Sequence, residues 1–308
     1  MTVLGPVLSE ALGSTLAHEH VLVDFIGAEL ADRSRYDGEE AFQVALPHLR
    51  RLKELGCETL IECTPAYIGR DPNLLRRLSR ASGLHILTNT GYYGAGQNKF
   101  LPRHAHEESA DELCARWVLE WRGGIEGTGV RPGFIKIGVD AGGLSGLHRK
   151  LVTAAGSTHS KTGLTIAAHT GNGLAALAQL EVLRTEGVDP SAFVWVHAQN
   201  EKNSTIHLDV ARQGAWVEFD GIGPDTIVSH VQHVETLRKN GLLGRILVSQ
   251  DAGWYHVGEK GGGKFRSFET LYTQFLPALR KSGWNEEEID QLMQSNPREA
   301  FAIRARKA

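Results

Sequence analysis

Residues 16–24, LAHEHVLVD, form an apolar strand pattern that places two histidines one residue apart. Side chains two positions apart on a strand point the same way, so His18 and His20 share one face and Glu19 lies on the other. The spacing allows one strand to present two imidazoles to a single ligand. This strand is the first of a series, and the series predicts the fold.

Short apolar runs of this kind alternate with amphipathic helical patterns along the whole chain. The eight predicted strands are STLAHEHVLV, ETLIECT, HILTNTGYY, FIKIGVD, LTIAAHT, FVWVHAQ, AWVEFDGI and RILVSQDAG. Segments between them, such as AFQVALPHLRRLKELG, repeat apolar residues at helical spacing, and glycine or proline marks several ends. Eight strands that each precede a helix predict an α/β protein, a (β/α)8 TIM barrel, as a single domain over residues 1–308.

Composition restricts the classes of function. The 308 residues are 41% hydrophobic and 22% charged, with a formal net charge of −3, which gives no electrostatic reason to expect a nucleic-acid partner. No apolar run approaches the ~18 residues of a membrane span, and the N-terminus lacks a secretion-signal pattern. Three scattered cysteines, Cys57, Cys63 and Cys114, predict free thiols. We therefore expect a cytoplasmic protein that acts away from membranes.

Metal-capable side chains collect where the predicted strands end. His18 and His20 belong to strand 1, His169 closes strand 5, His197 closes strand 6, and Asp251 follows strand 8. The carboxyl ends of barrel strands meet at one face, which carries the active site in this fold. A single buried histidine is more often a hydrogen-bonded core residue. Four imidazoles and a carboxylate at one face, however, predict a site for zinc or a similar divalent ion.

Lys136, in FIKIGVD on strand 4, falls at the same predicted face. Burial beside cations disfavours the charged form of its amine. One interpretation is an ordinary ion pair with Asp140 or another nearby carboxylate. The other is a neutral amine that takes up carbon dioxide and becomes a carbamate, an anionic ligand whose two oxygens can bridge two metal ions.

The motifs TLAHEHV, GFIKIGVD, AHTG, LRTEGVDPSAFVWVHAQN and ILVSQDAG, in this order, resemble the phosphotriesterase-like branch of the amidohydrolase superfamily, which includes lactonases. The resemblance covers nearly the whole chain and implies two divalent metal ions. Zinc is the expected metal, and manganese, cobalt and iron also suit these ligands. One ion would be held by His18, His20 and Asp251. The other would be held by His169 and His197, with carboxylated Lys136 and a hydroxide as bridges. A homodimer is a further expectation.

The resemblance also implies the reaction, hydrolysis of a small-molecule lactone or other carboxylic ester. The bridging hydroxide would attack the carbonyl carbon, and Asp251 would shuttle the proton. Lactonases of the branch carry a tyrosine after strand 3, and Tyr93 matches it better than Tyr92. The Tyr93 hydroxyl is expected to form a hydrogen bond with a lactone oxygen or with the hydroxide. A tyrosine that only packs against the pocket wall fits the same position.

Two departures from the branch bear on the substrate. Residues 220–223 read DGIG where the lactonases have Asp-Arg-Tyr-Gly, and residues 197–200 read HAQN where they have His-Leu-Gly-Asp. Both differences disfavour long-chain acyl-homoserine lactones. The glycine-rich segment 254–266 is predicted to be a long loop, either a lid or merely flexible. It carries three cations that would meet an anionic substrate or only solvent, namely Lys260, Lys264 and Arg266.

Other functions stay open at this point. Phosphotriester hydrolysis would use the same hydroxide. A deaminase or amide hydrolase would need only one metal ion, and the presence of Lys136 argues against that function. A barrel that only binds a small molecule would have no reason to keep all six ligands. A second His-x-His pair, His104 and His106, has no matching partners, so we predict that both lie at the surface of a polar loop. The C-terminal NEEEIDQLMQSNPREAFAI predicts two further helices outside the barrel.

Overall fold

The computed structural model describes residues 1–308 as a ring of parallel strands surrounded by helices. All eight predicted strands are present. The strands are β1 (Thr15–Val23), β2 (Thr59–Glu62), β3 (His85–Leu87), β4 (Asn89–Thr90), β5 (Phe134–Val139), β6 (Ile166–Thr170), β7 (Phe193–Val196), β8 (Trp216–Phe219), β9 (Ile246–Val248) and β10 (Gly253–His256). Their order is β10-β1-β2-β3 and then β4-β5-β6-β7-β8-β9, and β3 and β4 are one predicted strand interrupted at Thr88.

The ring closes where the chain passes from β9 into β10. The backbone N–H of Asp251 donates to the carbonyl of His18 at 3.1 Å, and the N–H of His20 donates to the carbonyl of Ala252 at 3.0 Å. Strand β10 then continues beside β1 in parallel register, with His20 opposite Gly253. The sequence predicted an irregular loop from Trp254 onward, which is wrong for its first residues because they belong to β10. A turn with positive φ angles separates β10 from β9, so the sequence pattern of β9 does not continue into β10.

Helices cover the outside of the ring and begin and end at recognisable signals. The helices are α1 (Gly38–Glu54), α2 (Pro72–Ser82), α3 (Arg103–Glu107), α4 (Ala110–Gly123), α5 (Gly146–Thr162), α6 (Gly173–Thr185), α7 (Ser204–Arg212), α8 (Ile227–Lys239), α9 (Leu276–Lys281), α10 (Glu286–Asp290) and α11 (Asn296–Phe301). In α2, the Asp71 carboxylate caps the first turn, Pro72 follows it, and Gly83 ends the helix in the left-handed conformation.

The C-terminal segment differs from the two separate helices that its sequence predicts. A π-helical turn at Gln291–Ser295 joins α10 to α11, so residues 286–301 form one helical run. A second π-helical turn, Leu271–Phe275, leads into α9. None of the helices combines the length and the apolar character that crossing a bilayer would require.

Buried apolar side chains form an inner cluster inside the barrel and a larger cluster between strands and helices. Strand β5 shows how the sequence divides them. Ile135, Ile137 and Val139 pack outward with the larger cluster, while Phe134 belongs to the inner one. Because strand side chains alternate, Lys136 also points inward, one step closer than Phe134 to the carboxyl end of the barrel.

Candidate metal centre

The six side chains predicted as metal ligands line one cavity of about 120 Å³. They are His18, His20, Lys136, His169, His197 and Asp251. Their imidazole rings are close neighbours, with centroids 5.2 Å apart for His18 and His20 and 4.6 Å apart for His169 and His197. The barrel therefore brings together residues that lie up to 233 positions apart in sequence, as the strand-end pattern predicts.

Hydrogen bonds on the far side of His20 determine its tautomer. The Nδ1 atom of His20 lies 2.8 Å from the hydroxyl oxygen of Thr64, and that hydroxyl donates its own proton to the Glu62 carboxylate. Thr64 must then accept from Nδ1–H of His20, which leaves a lone pair on Nε2 in the neutral ring. Burial lowers the pKa of His20, so the neutral ring is the relevant form.

The Asp251 carboxylate faces this lone pair. Its Oδ1 lies 3.1 Å from Nε2 of His20 and 3.9 Å from Nε2 of His18, and this buried oxygen accepts no hydrogen bond. Two acceptors in contact without a donor repel each other unless a cation lies between them. Burial also lowers the pKa of His18 well below its usual range. His18, His20 and Asp251 thus have the chemistry of a metal-ion site.

The backbone and imidazole of His197 are held from behind by a fully buried carboxylate, Asp220. Its Oδ1 accepts from Nδ1 of His197 and from Nε2 of Gln199, both at 2.7 Å, and its Oδ2 accepts from the backbone N–H of His197 at 3.0 Å. Burial alone would raise the pKa of Asp220, but His197 and these hydrogen bonds outweigh burial and hold the pKa below its usual range. Because Nδ1 carries the proton, Nε2 of His197 is the atom free to bind a metal.

His18, His197 and Asp220 also converge, which raises the question of a different metal site behind the cavity. Nδ1 of His18 lies 3.5 Å from both Asp220 Oδ2 and Glu218 Oε2 without forming a hydrogen bond. Burial and the neighbouring Asp220 raise the pKa of Glu218 well above its usual range, so Glu218 is the neutral member of the pair. Since both oxygens of Asp220 already accept hydrogen bonds, we interpret Asp220 as a support for His197.

Lys136 is 2% exposed and forms no ion pair. The suggested partner, Asp140, instead accepts hydrogen bonds from the backbone N–H groups of Gly96 at 2.8 Å and Gln97 at 3.3 Å, so the ion-pair interpretation with Asp140 is wrong. The strand that precedes Lys136 in the ring approaches it through Gly91, where a Cβ atom would lie only 2.3 Å from the Lys136 carbonyl oxygen. The lysine amine is thus enclosed in the cavity and forms an ion pair with none of the neighbouring carboxylates.

Tyr93 and Tyr92 point to opposite sides of the chain. The Tyr93 ring lies in the cavity with its centroid 4.9 Å from that of His169 and 5.9 Å from the Lys136 amine. The Tyr92 hydroxyl lies 2.9 Å from Nε2 of His104, outside the cavity. His104 is half-buried on helix α3, so the prediction that it lies at the surface of a polar loop is wrong, whereas His106 on the same helix is exposed as predicted.

Aromatic side chains form the mouth of the cavity, a feature without a signal in the sequence. Trp254 lies against His20, with ring centroids 5.4 Å apart, and against Phe25 at 5.5 Å. Segment 254–266 is packed on α1, because the Tyr255 hydroxyl donates to Glu40 and Phe265 stacks on His48. The side chains of the segment thus pack on the barrel, and its role as a lid stays a prediction.

The two lysines of this segment, Lys260 and Lys264, are exposed. The third cation, Arg266, is committed to backbone carbonyls at the base of the segment. Cys63 also lines the cavity, and burial raises the pKa of its thiol well above the usual range, so no thiolate nucleophile is available there. All three cysteines are buried free thiols, in agreement with the sequence analysis.

A larger cleft of about 690 Å³ lies on the other side of the same loops. The chain alternates between the two spaces, since Val23 and Tyr93 line the small cavity while Asp24 and Tyr92 line the cleft. Charged groups in the cleft are already paired, for example Arg70 with Glu120 at 2.7 Å. Although larger cavities are the usual first candidates for a site, the convergent unpaired acceptors lie in the smaller one.

Comparison with known proteins agrees with this geometry. The family model of the phosphotriesterase family matches residues 1–301. The chain belongs to the phosphotriesterase family. It is 32% identical over 294 residues to a phosphotriesterase homology protein of Escherichia coli strain K12, covering 94% of this chain and 98% of that protein. It is 27% identical to an aryldialkylphosphatase of Saccharolobus solfataricus, over 96% of each chain.

Among solved structures, a mutant of a PTE-like lactonase from Deinococcus radiodurans matches with a TM-score of 0.89 and 29% identity, covering 98% of this chain and 99% of that one. The family resemblance and the TIM barrel expected from the sequence are thus confirmed. Members of the phosphotriesterase family are metal-dependent hydrolases, and this chain is a hydrolase with histidine and aspartate groups able to bind metal.

Proposed function

We propose that this phosphotriesterase-family protein hydrolyses small lactones or other small carboxylic esters with two divalent metal ions. The observation that carries the proposal is the Asp251 Oδ1 atom, which is buried without a donor opposite the unprotonated Nε2 of His20. His18, His20 and Asp251 would hold one ion, and His169 and His197 the other. Burial lowers the pKa of His169 well below its usual range, which keeps its ring neutral and able to bind.

Lys136 would complete the site as a carbamate. Its amine nitrogen would form a bond to the carbon of carbon dioxide, one proton would leave, and an anionic group with two oxygens would result. Lys136 is buried in the cavity and forms no ion pair, so its amine is not committed to another side chain, which supports this step. The negative charge of the carbamate would compensate part of the charge of two divalent ions.

Divalent ions in such a site polarise a scissile carbonyl and make water acidic enough to attack near neutral pH. The protein side chains would do the rest. Asp251 would receive the proton of the attacking water at Oδ2, since Oδ1 faces the imidazoles, and would pass it to the leaving oxygen. The Tyr93 hydroxyl would orient the substrate by donating a hydrogen bond to the ester or ring oxygen. Burial raises the pKa of Tyr93, so this hydroxyl stays protonated.

The cavity supports a small acyl or lactone substrate. Its volume is about 120 Å³, and the two ions and the carbamate would fill part of it, so only a compact reacting group would be enclosed. The walls around the ligand set are mostly apolar, with Val23, Phe25, Ile68 and Trp254 contributing to them. A short-chain lactone therefore fits the enclosed space better than a long acyl chain, in line with the departures at residues 197–200 and 220–223.

Phosphotriester hydrolysis is the second candidate, because one relative is named an aryldialkylphosphatase. The same side chains would serve an attack at phosphorus. A panel containing unsubstituted small-ring lactones, long-chain acyl lactones, aryl acetates, an aryl dialkyl phosphate and an N-acetyl amide distinguishes these functions by kcat/KM. We expect the highest value for a small lactone or ester. A higher value for the phosphotriester or the amide would reverse the assignment.

Two controls accompany the panel. Asp251→Asn should abolish turnover of every substrate, and a variant that retains full turnover would exclude Asp251 as the proton acceptor. Protein that binds metal but turns over none of the substrates would support the binding-only alternative. The homodimer stays a prediction, which the molar mass of the purified protein in solution tests.

A further inference from the structure

The turn that carries Asp251 has an unusual backbone. Asp251, Gly253 and Trp254 have positive φ angles of 48°, 91° and 77°. Residues other than glycine rarely adopt this region, so surrounding contacts must hold such a turn in place. At Gly253 a Cβ atom would lie 1.9 Å from the His20 carbonyl oxygen, which shows how closely the turn is pressed against β1.

From below, the turn is fixed by Glu19, the residue between the two histidines of β1. The Glu19 carboxylate accepts from the backbone N–H groups of Gln250 at 2.9 Å and Ala252 at 2.7 Å, and from the Ser249 hydroxyl at 2.7 Å. Glu19 is fully buried. The N–H groups on both sides of Asp251 thus end on one carboxylate, and the strand that supplies two ligands also supports the third.

From above, the turn is fixed by Arg266. Its guanidinium donates to the carbonyl oxygens of Asp251 at 2.8 Å and Gln250 at 3.2 Å. Its backbone pairs with Gly253 in both directions, at 3.0 Å and 2.7 Å. Charge-assisted hydrogen bonds from one planar group to two successive carbonyls hold both peptide planes around Asp251 in one orientation.

We infer that Arg266 is a positioning residue that sets the orientation of the Asp251 carboxylate toward a bound metal ion. The inference rests on the proposed metal centre and adds a residue outside the ligand set. Arg266 is exposed, whereas Glu19 lies in the core. Removing the Arg266 guanidinium should therefore disturb the turn without emptying space in the barrel interior, which makes Arg266 the residue to test.

The probe is Co²⁺, whose visible absorption reports the arrangement of its ligands. Metal-free protein is titrated with Co²⁺ in competition with a chromophoric chelator, for the parent, Arg266→Ala, Arg266→Lys and Lys264→Ala. Lys264 is the matched control, since it is an exposed cation of the same segment whose amine forms no hydrogen bond with the protein. The melting temperature of each metal-free protein reports its stability.

Groups that support metal ligands typically contribute 10- to 100-fold to affinity. Because Arg266 acts through the backbone, we expect Arg266→Ala to weaken the Co²⁺ site that contains Asp251 about tenfold and to change its spectrum. Lysine retains one donor group and should restore part of the loss. Free guanidinium ion, at concentrations too low to unfold the protein, should restore the spectrum of Arg266→Ala. Lys264→Ala should match the parent.

Unchanged affinity and spectrum in Arg266→Ala would overturn the inference. A loss of affinity that follows a lowered melting temperature and does not respond to guanidinium would also overturn it, because it would reflect general destabilisation. The proposed metal centre is judged separately by the parent protein. If the parent binds no Co²⁺, the centre itself is wrong, whatever the variants do.

Discussion

Asp220→Asn tests the support of His197 most sharply. The substitution keeps the size of the side chain and removes its charge. Asp220 accepts three hydrogen bonds, two from His197 and one from Gln199, and an amide offers only one oxygen to these donors. In either orientation of this amide, its NH2 group would face an N–H donor of His197. The proton on Nδ1 of His197 would then no longer be fixed, and Nε2 would not always be free to bind metal.

The size of the effect follows from the bond that is lost. A hydrogen bond to a charged group contributes about 1.5–3 kcal/mol, and about 1.4 kcal/mol corresponds to a tenfold change in a binding constant. We therefore expect Asp220→Asn to lower the affinity for the proposed ion at His197 about 10- to 100-fold, in the range known for groups that support metal ligands. The other proposed ion, which His18, His20 and Asp251 would hold, should be affected less.

Competition titration of metal-free protein with Zn²⁺ and a chromophoric chelator measures both affinities. Asp209→Asn is the matched control, since Asp209 is an exposed carboxylate on α7. We expect the control to show both parent affinities. If Asp220→Asn also binds two ions with parent affinities, Asp220 does not support His197 and the reasoning from its hydrogen bonds is refuted.

Three further outcomes are expected. Lys136→Ala should lose most activity and regain part of it with acetate, whose carboxylate replaces the carbamate; a lack of rescue by any small carboxylic acid would count against the bridge. Tyr93→Phe should lower kcat/KM for lactones and esters, and equal rates on every substrate would make Tyr93 a packing residue. Burial lowers the pKa of His233 from 6.5 to about 4. The contribution of the neutral His233 ring to the free energy of unfolding should therefore be complete above pH 6.5. It should be lost between pH 6.5 and 4, because the unfolded chain takes up a proton there that the folded chain does not. His233→Phe should weaken this fall in the melting temperature of the metal-free protein, and an unchanged pH dependence would exclude His233 as a contributor.

The barrel and the convergence of the six proposed ligands were accessible from the sequence because both depend on local periodicity. Alternation on β1 places His18 and His20 on one face, and strand ends place the other ligands at the same edge. The hydrogen bonds from the backbone around Asp251 to the Glu19 carboxylate could not be predicted from the sequence. Alternation shows that Glu19 faces away from the histidines but does not show what lies there, which depends on how β10 closes the ring.

Supporting residues were missed for the same reason. Thr64 and Asp220 each follow a strand, as many capping residues do, and only the structure shows that they contact His20 and His197. His104 was misjudged because the sequence does not show that the Tyr92 side chain, which follows β4, turns toward α3. Strand β10 was missed because glycines and positive φ angles at its start are typical of loops.

The most direct test of the metal centre is elemental analysis of protein purified without chelator, combined with turnover of a small lactone by the same sample. We expect about two divalent ions per chain, activity that disappears when a chelator removes them, and recovery on adding Zn²⁺ or Mn²⁺. Absence of bound metal, even after loading with either ion, would mean that the buried acceptors of His20 and Asp251 do not form a metal site and that the proposed metal centre is wrong.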